Sequence, residues 1–288
     1  MWKRRTAYIL LLPLAGVTVL LTLACGSVLA QSLGYVPAFG LTRLTLDYYW
    51  AALSKPEFFP ALLVSLRTAL LSAAAASVLG TGLCAALVRQ GARGMAVHLV
   101  RLPILVPHTV TALFAILLLG QTGLLARTAY FLGIISDFSQ FPQLLFTPGY
   151  GGTILAYLWK EVPFVAYFTL ALMAGVSSTL GEAAENLGAS PLRAFFTVTL
   201  PLSLPAVSQA FLIIFLFAFG GYELPLLLGA TSPKALPVYA HLAYMSPELR
   251  QRPAAMALYG VILLLSAAMA ALYGILTRRL LRRIGGGV

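Results

Sequence analysis

The chain has 288 residues, of which 60% are apolar and 9% charged, with a net charge of +11 and a mean hydropathy of +0.92. A soluble domain carries about 25% charged residues, so this composition excludes an ordinary soluble enzyme or regulator. Apolar runs that reach the roughly 20 residues a helix needs to cross a bilayer specify an all-α integral membrane protein.

Taken in chain order, Lys3, Arg4 and Arg5 precede a first apolar span at Tyr8–Leu29. Together with "TLACGS" this start imitates a secretory or lipoprotein signal, but the run exceeds the usual signal core of about 7–15 residues. A retained first helix is expected. Residues 31–60 read as an external segment, with Pro37, Gly40, Asp47 and an aromatic cluster at Tyr48, Tyr49 and Trp50 that suits anchoring at the membrane interface. The second span, Ala61–Val88, is rich in Ala, Ser and Gly, which lets helix backbones approach closely and predicts packing on several sides. Arg67 lies close enough to its end to snorkel toward the interface. A third span, Leu102–Leu119, contains Pro103 and Pro107, which blur its ends. Leu124–Ile135 is too short to cross and carries Arg127, so an interfacial or re-entrant helix is expected. The remaining spans are Gly152–Val176, Ala206–Leu228 and Ala254–Leu276. About six helices in one domain, residues 1–288, result.

The basic residues fall unevenly between alternate sides of these spans. Lys3, Arg4, Arg5, Arg89, Arg93, Arg101, Arg193, Arg278, Arg279, Arg282 and Arg283 share one side; Arg43, Lys55, Arg127, Lys234, Arg250 and Arg252 share the other. The positive-inside rule then places both termini in the cytoplasm. The positive charge serves topology and lipid headgroups, with no nucleic-acid partner implied. Cys25 and Cys84 both lie within spans and are expected to pack as small apolar side chains rather than pair.

No nucleotide-cradling G-x-x-x-x-G-K-[ST] loop, H-E-x-x-H helix or G-x-S-x-G elbow occurs, and His98, His108 and His241 form no pair at helical spacing. Catalysis, a metal centre and a cofactor of its own are therefore not expected of this chain. Lys160 and Glu161 lie well inside the fourth span, and Glu223 lies near the external end of the fifth. Each costs at least about 2.5–3.5 kcal/mol in hydrocarbon. They are candidates for a translocation path, set against structural pairing between helices. Glu223 in "GGYELP" suits a cationic solute, whereas Lys160 argues the other way.

The most polar passage is "TLGEAAENLGASPLRAFFTVTLPLSLPA", residues 179–206. Thr179 and Glu182 have capping-box spacing, Gly188 suits a left-handed helix stop, and Ser190-Pro191 suits a new helix start. Leu192, Phe195, Phe196 and Val198 make the second helix amphipathic, and Pro201 is expected to end it. The spacing E-A-A-x3-G-x9-[IV]-x-L-P, realised by Glu182, Ala183, Ala184, Gly188, Val198, Leu200 and Pro201, arises by chance in well under about one such chain in a thousand.

This passage resembles the EAA loop of binding-protein-dependent ABC importer permeases. "LPILVPHTVTALFAILLL", "GGYELPLLLG" and "SPELRQRPAAMALYGVILLL" are similar to segments of the polyamine/iron/thiamine-type branch, so the resemblance spans nearly the whole chain. It implies a type I importer permease fold in a bacterial plasma (inner) membrane, with residues of about 178–201 as a cytoplasmic coupling loop. Glu182, Ala183, Ala184, Leu187, Gly188 and Pro201 would then meet one of two ATP-binding cassette subunits, which hold ATP and Mg. It further implies a homologous but different second permease, an external solute-binding protein, and a polyamine or another small charged solute. The competing classes are an ion-gradient-driven secondary transporter, which favours inverted repeats, and an intramembrane enzyme. Neither set of features is visible in the sequence.

Overall fold

The computed structural model describes residues 2–91 and 94–285, with side chains described at 11–91, 94–95 and 97–277. Arg93 lies outside the described residues. The side chains of Lys3, Arg4, Arg5, Arg278, Arg279, Arg282 and Arg283 do as well.

Among the described residues there is no β-strand, only an isolated antiparallel bridge between Val36 and Leu41. Six helical stretches are long and apolar enough to cross a membrane: Leu11–Ser32, Phe58–Arg89, His108–Phe131, Gly151–Asn186, Pro191–Gly220 and Leu249–Thr277. The chain divides into two compact units. One takes the residues up to Phe59 with Tyr239–Ala267, and the other takes Pro60–Val238 with the residues from Ala268 on.

In the first unit, α1 (Trp2–Ser32) presents no buried residue along its most apolar stretch, the condition of a helix covered by lipid or by another subunit. Cys25 is exposed on it, so only Cys84 packs in a core as expected. The aromatic cluster begins α2 (Asp47–Leu53), where its members divide. Trp50 is exposed, while the Tyr49 hydroxyl meets Ser32 Oγ at 2.8 Å and ties α2 back to the end of α1.

In the second unit, α3 (Phe58–Arg89) buries Ala69, Ser72, Ala73, Ala76, Ser77, Gly80, Thr81 and Cys84. Those positions follow the i, i+3, i+4, i+7 pattern of one helix face. Leu63, Val78 and Leu79 on the other faces are exposed. Within this chain the small residues therefore pack along one stripe rather than on several sides. The stripe meets α7 (Gly151–Val176): a Cβ on Gly80 would lie 2.5 Å from Val165 Cβ and 2.7 Å from the Val162 carbonyl. Gly80→Val is expected to force the helices apart at a cost of about 1–3 kcal/mol, read as a lowered unfolding temperature in detergent. Gly82→Val, whose Cβ meets nothing within 4 Å, provides the control. Equal behaviour of the two variants would remove this contact from the account.

The prolines of the third span divide it. The helix α4 (Met95–Leu105) ends at an extended Val106, and Pro107 caps the start of α5 (His108–Leu119). Proline's missing N–H breaks the ladder there. The expected span at Leu102–Leu119 is thus two helices, and the stretch long enough to cross is His108–Phe131. It includes α6 (Leu124–Phe131), where the Arg127 guanidinium donates to the Thr122 carbonyl at 2.9 Å.

The fifth span is displaced from its expected bounds of Ala206–Leu228. It runs from Pro191 through α10 (Leu200–Gly220) and stops where Gly221 turns extended. A short α11 (Glu223–Leu228) follows. Arg67 is tied down by structure rather than by an interface alone, because its guanidinium donates to the Pro148 carbonyl at 2.7 Å.

Candidate functional site

The polar passage forms one tight helical hairpin. The helix α7 does not end at Val176 but continues through a π-helical turn, Ser177–Gly181, into α8 (Glu182–Asn186). Thr179 consequently caps nothing, and its hydroxyl donates to the Gly175 carbonyl at 2.9 Å. The capping-box reading is overturned because no helix begins there.

The stop at Gly188 is as the sequence predicts. Gly188 has φ +93°, its N–H donates to Glu185 O at 2.9 Å, and the Ala189 N–H donates to Ala184 O at 3.0 Å. This is the paired bonding of a Schellman motif with glycine at its left-handed position. The next helix, α9 (Pro191–Ala194), starts at Ser190, whose hydroxyl accepts from the Arg193 N–H at 3.3 Å. It also does not end at Pro201. A second π-helical turn, Phe195–Thr199, carries it directly into α10. Pro201 sits just beyond that widened turn, where the helix absorbs a residue that a regular ladder excludes.

The two π turns pack against each other. Gly181 is buried, and a Cβ on it would come within 3.2 Å of Thr199 Oγ1. Gly181 and Thr199 set how closely the two legs approach. Neither was legible as a site residue, since their pairing depends on a π turn in each leg that no simple periodicity marks.

At the tip of the hairpin Glu182, Ala183, Glu185, Leu187 and Gly188 are exposed and Ala184 is half-buried. Leu187 stands out at 90% exposure, and Leu192 and Phe196 are exposed as well. Phe195 instead packs on the core of Cys84, Ala166 and Met173. The two adjacent aromatics therefore divide between the chain's interior and its outer surface.

The ionisable residues expected within the spans form a separate group, although Glu223 lies beyond the fifth span, which ends at Gly220. Lys160 and Glu161 are buried on α7, at 6% and 8% exposure, and Glu223 is exposed in the first turn of α11. Lys160 feels the charges of both carboxylates. Its ammonium donates to the Val106 carbonyl, which lies in the break between α4 and α5. Glu223 lines a cavity of about 300 Å³ at the Gly220–Gly221 break, together with His108, Tyr157, Phe217, Tyr222 and Leu224. Among the described residues no group of three His, Cys, Asp or Glu side chains could hold a metal ion.

Residues 79–282 match the family described as binding-protein-dependent transport system inner membrane component. The chain is 25% identical over 193 residues to the molybdenum transport system permease protein ModB of Haemophilus influenzae, covering 65% of this chain and 79% of that protein. It is 27% identical over 220 residues to the putrescine transport system permease protein PotI of Escherichia coli, covering 75% and 71%. A probable molybdenum ABC transporter permease protein of Haloferax volcanii is 30% identical over 200 residues, covering 68% and 69%. The fold resembles a chain of a bacterial alginate ABC transporter solved in complex with an alginate pentasaccharide-bound periplasmic protein, with a TM-score of 0.76 at 18% identity over 97% and 98% of the two chains. The chain belongs to the family of binding-protein-dependent transport system inner membrane components and is a permease component of an ABC importer.

Proposed function

We propose that this chain, as a single permease domain over residues 1–288, forms part of the solute path of an ATP-driven importer and is coupled to its ATPase through residues of about 178–201. The observation that carries this reading is the exposed hairpin tip on legs continuous with two spans, Gly151–Asn186 and Pro191–Gly220. A push on such a tip has no slack joint in which to be lost. Glu182 offers a carboxylate to basic or polar groups of an ATPase, Ala183 and Ala184 permit close approach, and Leu187 supplies apolar contact. Gly188 makes the turn, and Pro201 follows the π turn in the return leg.

ATP and Mg belong to two ATP-binding cassette partner subunits, so this chain is not itself an enzyme. Six spans in one chain call for a second permease, and the resemblance to the polyamine-type branch implies a homologous, different partner rather than a second copy. The excess of basic residues on one set of loops supports cytoplasmic termini in a bacterial inner membrane. A binding protein outside delivers a polyamine or another small charged solute. The path alternates between inward-open and outward-open states biased by nucleotide. An ion-gradient-driven secondary transporter is the competing reading, and it gives the exposed hairpin tip no partner.

The test is purification of this chain from its native host in mild detergent, with counting of the proteins that accompany it. Two copies of an ATPase and one homologous permease are expected. Recovery of the chain without an ATPase in several detergents, with uptake insensitive to ATP depletion, removes the coupling assignment and favours the gradient-driven reading.

A further inference from the structure

The two kinds of relative pose a choice, because molybdate is an oxyanion and putrescine is a diamine bearing ammonium groups. The cavity at the Gly220–Gly221 break makes that choice on its own chemistry. Among the described residues that line it, Glu223 is the one carboxylate, and no lysine or arginine joins it. The nearby ammonium of Lys160 is already committed to the Val106 carbonyl. Lys160 and Glu161 both stand outside that lining, which leaves Glu223 as the formal charge on the cavity wall.

A carboxylate on a cavity wall that bears no lining cation attracts a solute cation. The other walls fit the same class. Phe217 lies against the His108 ring at 4.9 Å between centroids, and both Phe217 and Tyr222 line the space, aromatic residues of the kind that suit an ammonium. His108 Nε2 is buried and has no hydrogen-bond partner, which leaves a polar atom for a solute N–H. The start of α5 beside it favours negative charge, but with only about half an elementary charge, against the full charge of a carboxylate.

Building on the permease reading above, we infer that this cavity is a solute subsite selective for small organic cations bearing a primary ammonium, with Glu223 as the charge-selecting residue. The ammonium sits against the Glu223 carboxylate while the solute's alkyl part lies over Phe217 and Tyr222. An oxyanion would meet a carboxylate and no lysine or arginine among the described lining residues.

The test uses the assembled importer in nanodiscs, with radiolabelled putrescine as the small diammonium probe and molybdate as the anionic one. Saturable putrescine retention is expected in the wild type. It should weaken about tenfold or more in Glu223→Gln, as loss of a charge-assisted hydrogen bond predicts, and be largely kept in Glu223→Asp. Molybdate should not compete. Absence of putrescine retention, retention unaltered in Glu223→Gln, or displacement by molybdate each overturns the inference. Stimulation of ATP hydrolysis by the binding protein in the same nanodiscs reports separately on the importer reading, so failure of one is distinguishable from failure of the other.

Discussion

Gly188→Asp and Glu182→Lys are expected to abolish ATP-dependent uptake while leaving the chain folded in the membrane. The folding cost is small because a Cβ on Gly188 meets nothing within 4 Å. What remains is the backbone penalty at φ +93°, about 1 kcal/mol for a residue other than glycine. The docking cost is larger. Gly188 adjoins the exposed Leu187 at the tip, and a carboxylate buried there against a partner loses its water without gaining a counter-ion. Glu182→Lys reverses the charge at an exposed position of the hairpin tip. Under the proposed docking these residues occupy a central interface position, whose disruption costs about 2 kcal/mol or more, about thirtyfold in association with the ATPase. Gly188→Asn separates backbone from charge, since Asn and Asp both tolerate left-handed geometry. Asn should retain part of the uptake that Asp loses. Normal uptake by both Gly188→Asp and Glu182→Lys would sink the assignment of this hairpin as the coupling element.

That hairpin also marks where the sequence was readable and where it was not. Gly188 and the Ser190–Pro191 start could be read because each depends on one or two residues and a local backbone requirement. Thr179 and Pro201 misled for a shared reason. Each ordinarily marks a helix boundary, but here a π turn on each leg lets the chain remain helical through both positions. The number of crossing stretches followed from composition alone, because the thickness of a bilayer imposes a minimum length on any apolar helix. Their bounds did not. The third span breaks at Val106–Pro107, and what satisfies the break comes from Lys160, 54 residues further along. Arg67 finds the Pro148 carbonyl across 81 residues. Both are choices made by packing between distant segments, and no local pattern encodes them. The division between Phe195 and Phe196 is of the same kind, since an amphipathic pattern does not say which of two adjacent rings meets the core.

Lys160→Met is expected to destabilise the chain more than it alters any contact with solute. In the wild type, Pro107 cannot donate to the helical ladder, and the Lys160 ammonium takes the Val106 carbonyl in the resulting gap. Methionine fills a similar volume but donates nothing. The variant leaves that carbonyl unpaired, at about 1–3 kcal/mol, and strips Glu161, which is 8% exposed, of the cation whose charge it feels. The unfolding temperature of the importer assembled with Lys160→Met should therefore fall by several degrees. Adding Glu161→Gln removes the stranded carboxylate and should recover part of that loss, though not the part due to the Val106 carbonyl. The pattern that identifies a structural lysine is a fall in the single variant and partial recovery in the double. A solute-contacting lysine gives the opposite result, an unchanged unfolding temperature with uptake lost in both variants. That outcome would transfer Lys160 from the scaffold to the path and would weaken the cation selectivity assigned to the neighbouring cavity, because its ammonium would then be free to meet an anion.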